Sequence, residues 1–368
     1  MSEEALRQAA AARKKDHIAL ARHSKRPEEN DFDKIFLVRP TLPETISNST
    51  NTECNFFGFR VQAPFFINAM TGGIEEGDSI NRSLCKASEE NGIPMAFGSA
   101  SFVEINPDAL EGFVEARKLT NQPVLVNVNA NTDVKTVKLL VKSLDPIALQ
   151  IHVNAVQELV MPEGNRNWIW KEKIGSIREA AGVPVIVKEV GFGFDVASIK
   201  ALAEMGIEAV DVSGKGGTNF CDIENCRRER GDFSYLSECG FSTVQSLINA
   251  RFARELLSLP EEEEEEEGIS LPEVIASGGI RNPLDILKSL ALGAKWVGVS
   301  GQFLSTLLSS GEDALVEEIG EWKEQLSGLI SLYGQSSTDS CQYIPWICDV
   351  ELESYARQMA RLISPGEI

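Results

Sequence analysis

Eight short apolar segments between residues 65 and 300 limit what this chain can fold into more than any other feature. Each has the length and β-rich composition of a buried strand, and a helical stretch follows it. The segments are Phe65–Met70, Ile93–Phe97, Val124–Val128, Ile147–His152, Pro184–Val190, Ala209–Ser213, Glu273–Gly278 and Lys295–Ser300. Apolar strands that alternate with helices are typical of a parallel sheet covered by helices. Eight such units, with no GxGxxG after the first, predict an α/β fold, a closed (β/α)8 TIM barrel.

The sequence on either side of the eight units is predicted to be largely helical. We expect a single domain with an N-terminal arm and lead-in over residues 1–60, the barrel over 61–310, and a C-terminal helical extension over 311–368. Three helices between strands have defined ends, because a glycine closes or follows each of them. These are Asn81–Asn91, Ala197–Gly206 and Pro283–Gly293.

Two loops and one charge run interrupt the regular spacing. Residues 157–170 follow the fourth segment and 214–240 follow the sixth, so both are predicted to leave the face of the barrel that carries function. Glu261–Glu267 is a block of seven like charges ahead of the seventh segment. Such blocks repel and stay solvated, so we predict a loop without function there.

The charge of the chain excludes several classes of partner. Fifty-five acidic residues against 35 basic ones give a net charge of −20, which predicts no nucleic-acid and no anionic-membrane partner. The charged N-terminus has no apolar signal region, no apolar run is long enough to span a bilayer, and the seven cysteines form no CxxC pair. We therefore predict a cytoplasmic protein. An anionic substrate would need local basic residues or a metal to overcome the overall negative field.

The ends of the first three segments suit a planar ligand. Asn68–Gly73 contains small residues and glycines, which let a flat ring approach the backbone closely, although an ordinary turn is the alternative. Gly98, Ser99 and Asn127 end the next two segments, where they offer a hydroxyl and an amide to the polar edges of a heterocycle. Because these strand ends meet at one face of a barrel, they predict a cofactor site there.

The fourth segment carries polar side chains at alternate positions. Gln150, His152 and Asn154 therefore face one side, the barrel interior. Polar groups are costly there unless they bind something, and the alternative is a buried, mutually satisfied His–Asn pair. Glu158, just beyond the strand, could ligate Mg²⁺, which takes carboxylates and keeps water for substrate phosphates.

Lys188 interrupts the fifth segment, in which the residues before it are apolar, as expected for a fully buried strand. Lysine is almost never fully buried without an anionic partner. Beside the N1–C2=O edge of a flavin, its charge would stabilise an anionic reduced ring. A buried ion pair with Glu189 or Asp211 is the structural alternative.

Glycine-rich turns follow the last three segments. Those after the seventh and eighth, Ser277–Arg281 and Gly298–Gly301, match the place where barrels bind a phosphate through backbone N–H groups and a helix N-terminus. In the arm, Arg13–His17 forms a cationic cluster. That cluster is either a solvated helix face or a lid that closes over an anionic substrate.

Together these segments resemble the type 2, flavin-dependent isopentenyl diphosphate isomerase family. The resemblance extends from residue 13 to about residue 304, in the family's order. It is carried by RKKDHI, INAMTGG, LQIHVNAVQELVMPEGNR, VKEVGFG, VDVSGKGGTNF, IENCRRER and ASGGIRNPLDILKSLALGAKWVG. It implies conversion of isopentenyl diphosphate to dimethylallyl diphosphate by a 1,3-allylic proton shift. It also implies FMN, which must be reduced with NADPH as the usual source, Mg²⁺, and a homo-oligomer, either a tetramer or an octamer.

The resemblance also assigns roles to individual residues. The flavin would contact Ala69, Met70, Thr71, Ser99, Asn127, Lys188, Ser213 and Thr218, and its phosphate Gly278, Gly279, Arg281, Ser300 and Gly301. The substrate would contact Arg13, Lys14, His17, Asn154 and Gln157, with Gln157, His152 and Lys188 as catalytic candidates and Glu158 as the metal ligand. One position departs from the family, since many relatives have Arg where this chain has Ser101, so diphosphate binding would fall to Arg13, Lys14 and the metal.

The chemistry of the pocket favours an isomerase over its alternatives. Only His152 and Glu158 titrate near the expected substrate and Glu158 is committed to metal, so reduced flavin N5 is the hypothesised acid and base. The second reading is an FMN-dependent oxidoreductase of the 2-hydroxy-acid oxidase or dehydrogenase kind. Such enzymes need a base, usually His, after the sixth or seventh strand, and no His follows residue 152. A non-catalytic scaffold would not explain a buried lysine beside three glycine turns.

Overall fold

The eight predicted segments form one closed parallel barrel. The computed structural model describes residues 3–23, 29–47, 50–257 and 271–363. Its strands are β1 (Ile35–Leu37), β2 (Cys54–Phe56), β3 (Phe59–Val61), β4 (Phe65–Ile67), β5 (Met95–Ala96), β6 (Val124–Asn129), β7 (Ala148–Val153), β8 (Val185–Glu189), β9 (Ala209–Asp211), β10 (Glu273–Ser277), β11 (Trp296–Val299) and β12 (Trp346–Cys348). The barrel runs from β4 to β11 in chain order and closes between β11 and β4. The predicted (β/α)8 barrel is confirmed.

Six of the eight predicted segments extend one to three residues beyond the carboxyl end of the paired strand. The first segment, which ends in strand β4, shows the reason. The hydrogen bond from the Asn68 N–H to the Val299 carbonyl is the last one between β4 and β11, and the main chain then turns away from the sheet. Residues 69–71 then line a cavity instead of pairing with a neighbouring strand.

Helices cover the outside of the barrel and both ends of the chain. They are α1 (Glu3–His23), α2 (Glu75–Asn91), α3 (Ala109–Arg117), α4 (Val134–Leu144), α5 (Ala155–Val160), α6 (Lys171–Ala181), α7 (Val196–Glu204), α8 (Phe220–Cys226), α9 (Thr243–Leu257), α10 (Pro283–Ala291), α11 (Gly301–Ser310), α12 (Glu312–Leu332) and α13 (Val350–Ile363). The three predicted helix ends are confirmed: Gly92, Gly206 and Gly293 all have positive φ, a conformation in which glycine is unstrained. Within the described ranges, no helix is both long and apolar enough to cross a bilayer.

The barrel interior contains two successive layers. The lower one, here the apolar layer, takes one residue from each strand and packs against the β2–β3 hairpin; its members are Phe66, Ala96, Leu125, Ala148, Ile186, Ala209, Ile275 and Trp296. Two residues further along each strand, the side chains reach the same side again. There the polar layer follows, comprising Asn68, Gly98, Asn127, Gln150, Lys188, Asp211, Ser277 and Gly298. The change from one layer to the next places polar groups under the carboxyl ends of the strands.

The two ends of the chain meet beside the barrel. Strand β1 pairs antiparallel with β12, so Ile35 lies opposite Cys348. The C-terminal extension is helical, as predicted, and α12 buries Leu315, Ile319, Trp322 and Leu326, which recur at helical spacing. The pairing of β1 with β12 was not predicted, because strands of three residues carry no readable period. The predicted loop at Glu261–Glu267 lies outside the described residues.

Candidate active site

A cavity of about 490 Å³ opens at the carboxyl ends of the barrel strands. Its lining comes from the ends of all eight strands and from helix α1. All twenty residues that the sequence assigned to a site lie in this lining: Arg13, Lys14, His17, Ala69, Met70, Thr71, Ser99, Asn127, His152, Asn154, Gln157, Glu158, Lys188, Ser213, Thr218, Gly278, Gly279, Arg281, Ser300 and Gly301. Residues separated by almost 290 positions therefore share one cavity, while the role of each stays a prediction.

Lys188 is buried at the floor of the cavity, with 5% of its surface exposed. Its Nζ donates to the Glu189 carbonyl at 3.0 Å and lies 3.5 Å from Asp211 Oδ2. The Glu189 side chain points elsewhere, since its carboxylate accepts from the N–H groups of Val190 and Phe192. The buried ion pair foreseen as an alternative therefore exists with Asp211, and Lys188 also reaches the cavity surface.

His152 lies above the polar layer and contacts it through one ring nitrogen. Its Nδ1 lies 2.7 Å from Asn127 Oδ1. Burial, together with the positive charges of Lys188, Lys14 and Arg13, lowers the pKa of His152 to about 4, against a smaller opposing effect of the Val128 backbone. The ring is therefore neutral near pH 7.

Asn154 and Gln157 are held in place by hydrogen bonds of different kinds. Asn154 caps helix α5, accepting from the Gln157 N–H at 2.7 Å, and its Nδ2 donates to the Val190 carbonyl at 2.6 Å. The Gln157 side chain donates from Nε2 to Glu224 Oε1 at 3.0 Å. Both polar atoms of the Asn154 side chain are therefore used in structural hydrogen bonds, whereas the Gln157 side-chain oxygen can accept a hydrogen bond in the cavity.

Glu224 is a residue that the sequence reasoning missed. It is fully buried, and its Oε1 also lies 2.8 Å from His17 Nε2, while Arg227 binds its Oε2 at 2.5 Å. Burial alone would raise the pKa of Glu224, but its bonds to His17, Gln157 and Arg227 outweigh burial and lower it. The motif IENCRRER, which carries part of the family resemblance, contains both Glu224 and Arg227 and was the available signal.

Helix α1 brings two cations to the cavity. Lys14 Nζ donates to the carbonyls of Gly72 and Ser99, and lies 5.4 Å from the centre of the Phe102 ring. Burial and the charge of Arg13 lower the pKa of Lys14 to about 8, against the opposing charge of Asp78. The predicted arm therefore lies against the barrel, with its lysine in contact with two strand ends.

Two glycines shape the turn after β10. Gly278 and Gly279 have φ of 90° and 77°, a region that favours glycine. A Cβ on Gly278 would collide with the Gly214 carbonyl oxygen, so the loops after β9 and β10 pack backbone against backbone. Beside them, helix α11 begins after Ser300 without a side-chain cap, which leaves its first N–H groups for an anion.

The Arg281 guanidinium binds two carboxylates from different parts of the chain. It donates to Asp33 at 2.7 and 2.8 Å and to Asp285 at 2.9 Å. These bonds tie the lead-in segment to the turn after β10. Arg281 thereby holds the turn that contains Gly278 and Gly279 against the lead-in segment.

The family resemblance predicts arginine at position 101, where this chain has serine. The Ser101 Oγ accepts from the Asn129 N–H at 2.8 Å and lies 2.8 Å from Thr132 Oγ1. The hydroxyl therefore links two loops and brings no positive charge to the cavity. On the opposite side of the barrel, Ser213 after β9 has φ of 30°, a strained value for a residue with a side chain.

Glu158 is the acidic candidate for metal binding. Its Oε2 accepts from the Asn165 N–H at 2.6 Å, and burial raises its pKa. Among the described residues, no group of three His, Cys, Asp or Glu could hold a metal ion. One carboxylate fits a magnesium ion whose other ligands are substrate phosphates and water, which is how Mg²⁺ is usually bound.

Comparisons with known proteins agree with this architecture. The sequence model of the family described as FMN-dependent dehydrogenase matches residues 112–343. Among solved structures, flavocytochrome b2 with sulfite bound has a TM-score of 0.66 at 19% identity, covering 90% of this chain and 82% of that one. Mandelate oxidase with (S)-2-phenylpropionate has a TM-score of 0.62 at 16% identity, covering 91% of each. At these identities the two structures support the fold alone.

Sequence relatives are more specific. The isopentenyl-diphosphate delta-isomerase of Latilactobacillus sakei subsp. sakei (strain 23K) is 38% identical over 349 residues, which cover 94% of this chain and 95% of that protein. That of Streptomyces sp. (strain CL190) is 40% identical over 328 residues, covering 88% and 86%. Identity of this level extends over the arm, the barrel and the C-terminal helices. The chain therefore belongs to the isopentenyl-diphosphate delta-isomerases, within the wider FMN-dependent dehydrogenase family.

Proposed function

We propose that this protein interconverts isopentenyl diphosphate and dimethylallyl diphosphate by a 1,3-allylic proton shift, with reduced FMN bound in the cavity. The observation that carries the proposal is the distribution of anion-binding features around one cavity. Uncapped N–H groups lie at α11, two cations lie on α1, and the buried Lys188 lies at the floor. The α11 N–H groups would bind the flavin phosphate, the α1 cations would bind the substrate diphosphate, and Lys188 would lie beside the electron-rich edge of the flavin ring.

The flavin assignment is supported by the shape of the cavity. The phosphate would bind at Gly278, Gly279, Arg281, Ser300 and Gly301, and the rest of the cofactor against Ala69, Met70, Thr71, Ser99, Asn127, Lys188, Ser213 and Thr218. Glycine at 278 keeps the turn close to the neighbouring loop, and Lys188 places a positive charge at the floor. When bound and reduced, the flavin would supply the atom that gives and accepts the proton.

The substrate would be held by the residues at the cavity mouth. Arg13, Lys14, His17, Asn154 and Gln157 are proposed to contact it, and Gln157, His152 and Lys188 are the proposed catalytic residues. Glu224 binds Gln157 Nε2, so the Gln157 oxygen is the atom available to the allyl carbons. His152 is neutral and Glu158 is proposed for the metal, so neither of these two groups is proposed as the acid that protonates the alkene.

The accessory components are proposed on the same family grounds. Mg²⁺ would bind Glu158 together with the substrate diphosphate, and NADPH would reduce the flavin. Three carboxylates, Glu104, Glu158 and Glu163, line the cavity beside Arg13 and Lys14, so a divalent cation would offset their repulsion of a diphosphate. We further propose a cytoplasmic homo-oligomer, a tetramer or an octamer, and the division into residues 1–60, 61–310 and 311–368.

The decisive experiment uses the full-length protein, FMN and Mg²⁺ under anaerobic, reducing conditions. Isopentenyl diphosphate should be converted to dimethylallyl diphosphate without stoichiometric consumption of NADPH. Failure to isomerise, together with bleaching of the oxidised flavin by a 2-hydroxy acid that is converted to its 2-oxo acid, would favour the FMN-dependent 2-hydroxy-acid oxidase or dehydrogenase interpretation instead. A colourless protein that does not take up added FMN would overturn both, and full activity with 5-deazaflavin would contradict proton transfer at the flavin.

A further inference from the structure

A continuous line of hydrogen bonds crosses the polar layer beneath the cavity. It joins the ring of His152, at the cavity, to a carboxylate on the far side of the barrel. The four links are His152 Nδ1 to Asn127 Oδ1 at 2.7 Å, Asn127 Nδ2 to Gln150 Oε1 at 3.3 Å, Gln150 Nε2 to Asn68 Oδ1 at 3.0 Å, and Asn68 Nδ2 to Asp211 Oδ2 at 2.8 Å. The other four residues of this line are all buried.

The direction of the line is set at Asp211. Its carboxylate is fully buried, accepts from Ser277 Oγ at 2.6 Å, and lies 3.5 Å from Lys188 Nζ. An ionised carboxylate only accepts hydrogen bonds, so the Asn68 amide must turn its NH₂ group toward it. The Asn68 oxygen then faces the other way, where it also accepts from the Ala69 N–H at 2.8 Å.

The orientation of each following amide is then determined. Because Asn68 presents its oxygen, Gln150 must donate from Nε2 and present its own oxygen to Asn127. Asn127 must in turn donate from Nδ2 and present Oδ1 to the ring of His152. An oxygen accepts but cannot donate, so His152 Nδ1 must carry a proton.

We propose that Asp211 is a positioning residue that holds His152 in its Nδ1–H tautomer through three intervening amides, while its ion pair holds Lys188. Neutral His152 then offers an unprotonated Nε2 to the cavity, which can accept a hydrogen bond or a proton but has none to give. One carboxylate would therefore set the chemistry of two proposed catalytic residues. The catalytic consequence rests on the proposed isomerase function, whereas the tautomer does not.

The tautomer can be read directly by NMR. The chain has three histidines, His17, His23 and His152, so ¹⁵N-histidine labelling gives few signals, and His17→Gln and His23→Gln assign them. Two-bond ¹H–¹⁵N correlation spectra of the full-length, FMN-loaded protein near pH 7 should show a protonated Nδ1 and an unprotonated Nε2 for His152. The reverse pattern in the unaltered protein would overturn the proposal without any variant.

Two variants test whether Asp211 is the source. In Asp211→Asn the new amide can donate toward Asn68, so His152 should lose its single tautomer, and kcat should fall by about 10²-fold, the low end for a misplaced general acid or base. Ser277→Ala is the matched control, because it removes the other bond to Asp211 but leaves the amide line intact, and the tautomer should persist. A pure Nδ1–H tautomer in Asp211→Asn would refute the role of Asp211.

A third variant covers a failure of Asp211→Asn to fold. Gln150→Met breaks the line at its middle while filling similar volume and leaving the Lys188–Asp211 pair. His152 should again populate both tautomers, and an unchanged spectrum would overturn the proposal. Isomerase failure in the unaltered protein would refute the proposed function yet leave the tautomer measurement standing, so the two failures can be told apart.

Discussion

The apolar and polar layers of the barrel interior are two residues apart on the same strands, yet they follow different rules. The apolar layer is filled by hydrocarbon and aromatic side chains, such as Phe66 and Trp296, which pack with Phe56 of the β2–β3 hairpin. The polar layer contains a lysine, a carboxylate and three amides that satisfy one another. Similar residues can replace one another in the first layer, whereas each polar group in the second depends on its neighbour.

Replacing the cation of the polar layer should have the largest effect. Lys188→Met keeps the length of the side chain but removes its charge, so we expect kcat to fall by about 10²–10³-fold, the range seen when one preorganised electrostatic contact is lost. Loss of charge also leaves Asp211 without its ion pair, so some stability should be lost. Steady-state isomerase assays on protein shown to be folded by circular dichroism measure the first effect.

The matched control is a buried lysine outside the cavity. Lys288 is 8% exposed and donates to the Phe32 carbonyl at 2.7 Å, on the outer side of the barrel. Lys288→Met should lower the midpoint of denaturation while kcat changes much less than in Lys188→Met. Equal losses of kcat in the two variants would contradict a special role for the polar layer.

The second largest effect is expected on FMN affinity, from a substitution in the glycine turn beside the polar layer. In Gly278→Ala the Cβ would collide with the Gly214 carbonyl oxygen, so the turn would have to shift. We expect FMN to bind roughly 10- to 100-fold more weakly, since losing one hydrogen bond to a charged phosphate costs about 1.5–3 kcal/mol. Gly293 is the control, because its φ of 101° is similar but nothing lies within 4 Å of its Cβ position. Fluorescence titration of FMN should separate the two, and matching affinities would refute the contact argument.

These two layers also show what could be predicted from sequence. The eight apolar runs that alternate with helices were sufficient to predict the barrel. The twenty residues that share one cavity were predicted from the polar strand ends together with the resemblance to the isomerase family. The partner of Lys188 was narrowed to Glu189 or Asp211, but the choice between them depends on side-chain directions at β8 and β9. Glu224 was missed because a carboxylate in a loop helix looks solvated until the arm and Gln157 are packed on it.

A pH effect should come from the arm above the polar layer. Lys14 has a pKa of about 8, so it is mainly charged below pH 8 and loses its proton as the pH rises through that value. If the ammonium binds the diphosphate, kcat/KM should fall above pH 8, by at most about tenfold per pH unit. The profile of Lys14→Arg should stay flat in that range, because guanidinium keeps its charge. An identical fall in Lys14→Arg would assign it to another group.

The smallest effect is expected in the apolar layer itself. Ile186 lies two residues before Lys188 and is fully buried, so Ile186→Val removes one methylene directly beneath the lysine. The free energy of unfolding should drop by about 0.5–1.5 kcal/mol, and kcat should stay within about twofold, because no polar contact is altered. Urea denaturation and steady-state assays measure the two quantities. A fall in kcat close to that of Lys188→Met would show that packing below the lysine controls its position, and the two layers would then have to be treated as one unit.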